Sequence, residues 1–121
     1  NNQLTALPPE IGNLTSLTTL NMSGNQLTAL PPEIGTLTEL DSLFLNDNLL
    51  TTLPTAIGRL VELIYLGISH NRLTEIPESI GRLTKLEELD LSNNLLMVLP
   101  PDMDGLINRK VADLSGNPLR L

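Results

Sequence analysis

The sequence predicts an α/β solenoid, in which short parallel strands and short helical turns alternate along a right-handed coil. Two observations predict it. Asparagine recurs every 23 residues without insertion or deletion, at Asn2, Asn25, Asn48, Asn71, Asn94 and Asn117. In each complete copy a segment of the pattern Leu-x-x-Leu-x-Leu, with Ile or Met in some copies at the last position, precedes the asparagine, and a segment that matches or closely follows Leu-Pro-x-x-Ile-Gly-x-Leu comes after it. A fixed period of this length is the sign of a repeat array, whose units bury their apolar faces against one another.

The repeats divide a chain of 121 residues that we expect to form a single domain. The predicted units are a partial repeat at 1–16, complete repeats at 17–39, 40–62, 63–85 and 86–108, and a degenerate partial repeat at 109–121. Each repeat forms one turn of the coil, which we call a rung. In the last unit Arg109 and Ala112 replace leucines, so its apolar face is weaker, as a solvent-facing terminal rung requires. Because Asn1 begins in mid-repeat, we expect a fragment of a larger signalling or effector protein.

The first half of each unit predicts a short strand. Apolar residues alternate with others, as in Leu43-Phe44-Leu45, and a period of two is typical of a strand with one buried face. A strand that recurs after a crossover pairs with its copies in parallel, and such crossovers are right-handed.

The second half of each unit predicts a 3₁₀ turn or a very short helix. Its Ile and Leu are three residues apart and share one side of a helical turn, and Pro supplies the fixed φ with which the turn starts. We expect Gly35, Gly58 and Gly81 to end these turns in a left-handed conformation. Asp104 replaces this glycine in the fourth unit, so that turn is expected to be the least regular.

The asparagine column is interpreted as a structural ladder. Each asparagine follows a strand where the chain bends inward, and a buried bend leaves backbone amides and carbonyls without ladder partners. An asparagine side chain carries both donors and an acceptor, so a stacked row can satisfy these groups. The predicted ladder consists of Asn25, Asn48, Asn71, Asn94 and Asn117.

The repeat from Leu40 to Leu60, with Asn48, Pro54 and Gly58 at the motif positions, resembles the leucine-rich repeat of the 23-residue type. This variant is similar to that of Ras-group and Ras-suppressor proteins, Roco proteins and bacterial leucine-rich repeat proteins. The resemblance implies a curved solenoid with a parallel sheet on the concave side, 3₁₀ turns on the convex side, a role in protein recognition or assembly, and no catalysis. The departures from the motif are Met97, Asp104, Arg109 and Ala112.

Composition narrows the expected partner and compartment. The net charge is -7, and no Lys or Arg precedes Arg59. Phosphate contacts need clustered Lys and Arg, so nucleic acid is not expected as a partner. No apolar run approaches the roughly 18 residues of a membrane span, so no membrane partner is expected. The absence of Cys favours an intracellular, cytoplasmic location.

If the apolar strand residues face inward, the residues between them form rows across the concave face. Four rows are Thr19, Ser42, Tyr65, Glu88 and Val111; Asn21, Phe44, Gly67, Asp90 and Asp113; Ser23, Asn46, Ser69, Ser92 and Ser115; and Gly24, Asp47, His70, Asn93 and Gly116. The two aromatic residues of the protein, Phe44 and Tyr65, fall in these rows at a backbone distance of about 8 Å, close enough for ring contact. Gly67 is expected to leave a dent beside them.

We interpret Phe44 and Tyr65 as exposed anchors for a protein partner. The alternative is that the two rings only cover strand backbone. Glu88 and Asp90 make one end of the face acidic, so the partner is expected to offer an apolar group to the aromatics and a Lys or Arg to the carboxylates. Asp47 and His70 are assigned to the same partner-binding surface.

No catalytic site, metal site or cofactor is predicted. Ser69, His70 and Asp47 have the residue types of a hydrolase triad, but adjacent residues on an extended segment diverge and no oxyanion hole is recognisable. Asp90 and Asp113 stack about 4.8 Å apart, close enough to hold a divalent cation, and we interpret them as solvated carboxylates.

The sequence therefore predicts a non-catalytic interaction module that binds a protein partner on its concave face. The alternative is an architectural spacer or a self-assembling repeat unit with no dedicated ligand. In that case the N-terminal partial repeat would stack weakly, end to end, on another copy through its bare apolar residues Leu4, Leu7, Ile11 and Leu14.

Overall fold

The computed structural model describes residues 3–120; Asn2, assigned above to the asparagine column, lies outside them. Five parallel strands form one open sheet in sequence order, and short turns connect them. The strands are β1 (Thr19–Asn21), β2 (Ser42–Phe44), β3 (Tyr65–Gly67), β4 (Glu88–Asp90) and β5 (Ala112–Asp113). The 3₁₀ helices are Pro9–Asn13, Pro32–Thr36, Thr55–Arg59, Glu78–Arg82 and Pro101–Met103, and one α-helix, α1, is Asp104–Asn108. The predicted α/β solenoid is confirmed.

The register of the sheet aligns equivalent residues of successive repeats. Ser42 pairs with Tyr65 and Phe44 pairs with Gly67 between β2 and β3, and Gly67 pairs with Asp90 between β3 and β4. Every pairing is parallel and offset by one 23-residue repeat. Residues of the first two predicted rows therefore lie next to one another across the strands.

The core is aliphatic and lies between the sheet and the turns. Leu43, Leu66 and Leu89 of the strands are fully buried, and so are Ile34 and Ile57 of the turns. Burying one such side chain stabilises the fold by about 1.5–3 kcal/mol. The buried residues form one continuous cluster, because each rung packs against the next.

Each 3₁₀ helix starts after a proline whose φ lies between -71° and -68°, as the fixed ring angle predicts. The predicted left-handed conformation of Gly35, Gly58 and Gly81 is wrong: φ is not positive at any of them. These glycines lie inside the 3₁₀ helices, and the turn of the next repeat packs closely against them. A Cβ on Gly58 would lie 2.7 Å from the carbonyl oxygen of Ser79. Glycine is required here for close stacking of the turns.

The turn of the fourth complete repeat, Pro101–Met103, is the least regular, as predicted. Its 3₁₀ segment continues directly into α1, and a Cβ on Gly105 would meet no atom within 4 Å. Lys110 ends this helix with φ 60°, while its N–H donates to Ile107 O and the N–H of Val111 donates to Leu106 O. This pair of hydrogen bonds is a Schellman motif, with lysine in the left-handed place where glycine is usual.

The asparagine side chains connect consecutive rungs. Asn71 Oδ1 accepts a hydrogen bond from Leu50 N–H of the preceding rung at 3.0 Å. Its Nδ2 donates to Leu45 O of that rung at 2.9 Å, and to Ile68 O and Ser69 O of its own rung. The same pattern of an accepted N–H one rung back recurs at Asn25, Asn48, Asn94 and Asn117.

Candidate functional site

Phe44 and Tyr65 form an aromatic pair on the concave face. Their ring centroids are 4.8 Å apart and the ring planes are tilted by 33°. This is direct contact within the range of favourable aromatic pairs, which contribute about 0.5–1.5 kcal/mol beyond the area that they bury. The predicted contact between the rings is confirmed.

The dent predicted beside Gly67 is not there, because the Tyr65 ring occupies it. A Cβ on Gly67 would lie 2.9 Å from both Cε1 and Oη of Tyr65, and Gly67 is itself buried. The absence of a side chain at Gly67 lets the ring lie flat over the strand and reach Phe44. The expectation of two exposed aromatic anchors is therefore corrected, since both residues are half-buried. They form one low apolar platform.

Hydrogen bonds join three neighbouring residues of the third row, Ser23, Asn46 and Ser69. Asn46 Oδ1 accepts hydrogen bonds from Ser69 N–H at 2.8 Å and from the Ser69 hydroxyl at 3.0 Å. The hydroxyl of Ser23 accepts one from Asn46 N–H at 3.2 Å. Ser69 is only 7% exposed. Its hydroxyl donates to Asn46 instead of His70, so the structure does not assemble the triad considered from the sequence.

The fourth row, which includes Asp47 and His70, occupies left-handed backbone positions. The φ angles are 74° at Gly24, 60° at Asp47, 56° at His70, 59° at Asn93 and 74° at Gly116. Glycine, asparagine, aspartate and histidine are the residues most often found with such angles. A tight turn after each strand thus accounts for the residue types in this row. Sequence reasoning missed the turn, although the glycines at both ends of the row signalled it.

The side chains of Asp47 and His70 are exposed after this turn. Nε2 of His70 lies 3.4 Å from Nδ2 of Asn93 on the next rung. Within residues 3–120 no hydrogen bond joins Asp47 to His70. Both residues border the concave face, and among residues 3–120 no side-chain hydrogen bond joins either of them to Phe44 or Tyr65.

The acidic end of the face begins next to Tyr65. Glu88 is paired with Tyr65 in the strand register and is exposed. Asp90 is half-buried, and its Oδ1 accepts hydrogen bonds from Ser92 N–H at 3.1 Å and from the Ser92 hydroxyl at 2.6 Å. One carboxylate oxygen of Asp90 therefore caps the strand end, and the other accepts no hydrogen bond from residues 3–120.

Asp113 repeats this arrangement with Ser115 on the next rung. The Ser115 hydroxyl, and secondly its N–H, stabilise the carboxylate and lower the pKa of Asp113 below its ordinary value. Asp90 and Asp113 pair in the strand register. Among the described residues no group of three or more His, Cys, Asp or Glu side chains could hold a metal ion.

The turn side has a hollow of about 730 Å³ whose lining includes Arg59 and Arg82, together with Glu78 and Asp102. Two cationic and two anionic side chains leave it without net charge. Its charges therefore favour neither an anionic nor a cationic ligand by net charge, in contrast to the acidic end of the sheet.

The family profile described as "Leucine rich repeat" matches three overlapping stretches, residues 15–73, 38–96 and 62–119. The chain belongs to the leucine-rich repeat family. A search of curated protein sequences finds no significant match. This leucine-rich repeat fold is typically a protein-interaction fold and not an enzyme.

Solved structures agree with this assignment. A leucine-rich repeat protein of Leptospira interrogans is 40% identical, with a TM-score of 0.90 over 98% of this chain and 30% of that one. The receptor-kinase ectodomain GASSHO1/SCHENGEN3 of Arabidopsis thaliana, solved in complex with Casparian strip integrity factor 2, is 40% identical, with a TM-score of 0.83 over 98% of this chain and 14% of that one. Internalin inlF of Listeria monocytogenes is 27% identical, with a TM-score of 0.82 over 99% of this chain and 34% of that one.

This leucine-rich repeat chain thus spans less than a third of the Leptospira protein. In the described part of the chain, no helix has the length and apolarity needed to cross a membrane.

Proposed function

We propose that this chain binds a protein partner on its concave face, through the aromatic platform of Phe44 and Tyr65 and the neighbouring carboxylates Glu88 and Asp90. The observation that carries the proposal is the contact between the only two aromatic rings of the protein, at the centre of a polar sheet face. The complex of the similar Arabidopsis ectodomain with Casparian strip integrity factor 2 supports ligand binding by this fold.

The platform has the features of an interface anchor. The first complete repeat carries Thr19 in the row of Tyr65 and Asn21 in the row of Phe44, so an aromatic side chain is not needed at these positions to form a rung. The two rings hold each other in place, so binding would cost little further side-chain entropy. Rigid aromatic groups of this kind supply much of the energy of protein interfaces.

The charges beside the platform favour a basic partner. Glu88 is adjacent to Tyr65, and Asp90 follows on the same strand. In the part of the chain that the structure describes, Lys85 and Glu62 form the only ion pair, at 2.8 Å, so neither Glu88 nor Asp90 is paired with a cation there. A Lys or Arg of the partner would pair with them, and the protein's net charge of -7 would accelerate the encounter.

The complete protein's role is proposed on the same basis. Because the chain spans only part of the similar proteins, we propose that it is the recognition segment of a longer signalling or effector protein. The intracellular location expected from the absence of Cys remains a prediction, since one of the similar structures is a receptor-kinase ectodomain.

The test is affinity capture from a lysate of the source organism. The variant Phe44→Asn with Tyr65→Ser replaces the two rings by residues that occur in the same rows one repeat earlier. Asn21 precedes Phe44 in its row, and Ser42 precedes Tyr65. We expect the wild type to retain a protein that this variant loses, since truncating an anchor residue costs about 2–4 kcal/mol of binding.

The matched control is Val61→Thr with Ile64→Thr, which removes two exposed apolar side chains from the segment that leads from a turn into β3. It should capture the same protein as the wild type. Identical captures with all three proteins would refute concave recognition. If the wild type were also a dimer or larger in solution, the architectural alternative would replace it.

A further inference from the structure

One flank of the coil, where the chain runs from the sheet to the turns, becomes apolar at the fourth rung. Leu95, Met97 and Val98 are 50%, 40% and 64% exposed there, and we call these three residues the apolar flank. The same columns in the earlier repeats are mostly polar: Gln26, Thr28 and Ala29; Leu49, Thr51 and Thr52; Arg72, Thr74 and Glu75. The repeat motif therefore does not require apolar residues at these positions.

The core does not use these side chains. Leu96, between two of them, points inward and is fully buried. The next rung is stacked on the fourth at this point, because Arg120 N–H donates to Met97 O at 2.9 Å and Asn117 Oδ1 accepts from Leu96 N–H at 3.1 Å. Leu95 and Met97 are thus exposed even though their neighbouring rung is present. Exposed apolar clusters of this kind mark interaction surfaces.

A shallow groove of about 440 Å³ adjoins the apolar flank. Val98 lines it, together with Ile76 and the carboxylates of Glu75 and Glu78. Neither carboxylate takes part in an ion pair within residues 3–120. The groove therefore combines an apolar wall with negative charge, which suits a Lys or Arg whose hydrocarbon stem packs on the wall while its charged end reaches a carboxylate.

We propose that this flank docks a basic amphipathic segment of a partner protein. Its apolar side chains cover Leu95, Met97 and Val98, and its Lys or Arg enters the groove between Glu75 and Glu78. Arg72, one rung before Leu95 in the same column, repels the basic residues on the sheet side, so they are directed to the turn side. This surface is separate from the concave face and does not depend on the function proposed there.

The probe is a fluorescein-labelled helical peptide with leucines on one face and lysines on the other, and fluorescence anisotropy gives its Kd. The variant Leu95→Gln, Met97→Thr, Val98→Ala carries the residues of the first complete repeat, so it should fold. We expect it to raise the Kd about tenfold or more. Glu75→Gln with Glu78→Gln should also raise the Kd and should make binding less sensitive to salt.

One control makes the result specific. Val61→Thr with Ile64→Thr removes exposed apolar side chains from the opposite flank and should leave the Kd unchanged.

Three results would overturn the proposal. The first is unchanged binding by the flank variant or by the glutamine variant. The second is equal binding of a peptide in which glutamates replace the lysines. The third is a wild type that sediments as a dimer when the flank variant is a monomer, which would identify a second copy of this chain as the occupant.

Discussion

Replacing Asn71 by alanine tests the asparagine ladder at its centre. The Asn71 side chain is 7% exposed and makes one hydrogen bond as acceptor and three as donor. Its acceptor role has no substitute, because no other group within residues 3–120 accepts a hydrogen bond from the N–H of the buried Leu50. The variant therefore leaves one buried N–H without a partner.

The donor role of Asn71 is shared with neighbouring groups. Leu45 O also accepts from Asn48 Nδ2 at 3.1 Å, and Ile68 O also accepts from Asn94 Nδ2 at 2.9 Å. Ser69 O accepts from a backbone N–H at 2.9 Å. All three carbonyls keep a partner, so the cost comes from a single orphaned donor. We expect the free energy of unfolding to fall by about 1–3 kcal/mol.

Urea unfolding followed by circular dichroism measures this loss, and Asn25→Ala is the comparison. Asn25 accepts a longer hydrogen bond, 3.2 Å from Leu4 N–H, and Leu4 is 43% exposed, so water can replace the lost acceptor. Asn25→Ala should cost less than Asn71→Ala. Equal losses in the two variants, or a loss below about 0.5 kcal/mol for Asn71→Ala, would contradict the assignment of a buried, unshared acceptor.

Three other predictions concern the turns and the last rung. Gly58→Ala should destabilise the fold by about 1–3 kcal/mol in urea unfolding, because the new Cβ would clash with the next turn. Gly105→Ala is its counterpart: the new Cβ would meet no atom within 4 Å, and the substitution in a helix should stabilise the fold by about 0.5–1 kcal/mol. Lys110→Gly should stabilise by up to about 1 kcal/mol in the same assay, by relieving a φ of 60°, and a loss would contradict this. Ser115→Ala should raise the pKa of Asp113, measured by NMR titration. Because that pKa is lowered on folding, the stabilisation by Ser115 is present above the unfolded-state value and is lost as the pH falls through the folded-state value.

The strand half of the repeat could be predicted because a period of two determines which residues share a face. The pairing of Phe44 with Gly67 and of Tyr65 with Glu88 follows from the 23-residue offset alone. The position of the Tyr65 ring could not be predicted in this way. It depends on the rotamer of Tyr65 and on the room that Gly67, without a side chain, leaves for the ring. Residue spacing determines neither.

The prediction for the turn glycines was wrong for a related reason. Gly35 and Gly58 lie at the end of a short helical motif, where a left-handed glycine is common, and the sequence does not give the distance to the next rung. That distance decides their role, since a Cβ on Gly35 would lie 2.8 Å from Cβ of Ala56. The left-handed angles occur instead at His70 and its equivalents, whose residue types were assigned to a ligand surface.

The asparagine ladder makes the two ends of an array chemically unequal. Each side chain accepts an N–H from the rung before it, as Asn94 does from Leu73. Removing repeats from the amino side leaves an asparagine oxygen facing water, and its amide still donates to its own rung. Removing them from the carboxyl side takes away the acceptor of an inward-facing N–H. Shortened or recombined arrays therefore tolerate a bare amino end, but their carboxyl end needs a segment that supplies the missing oxygen.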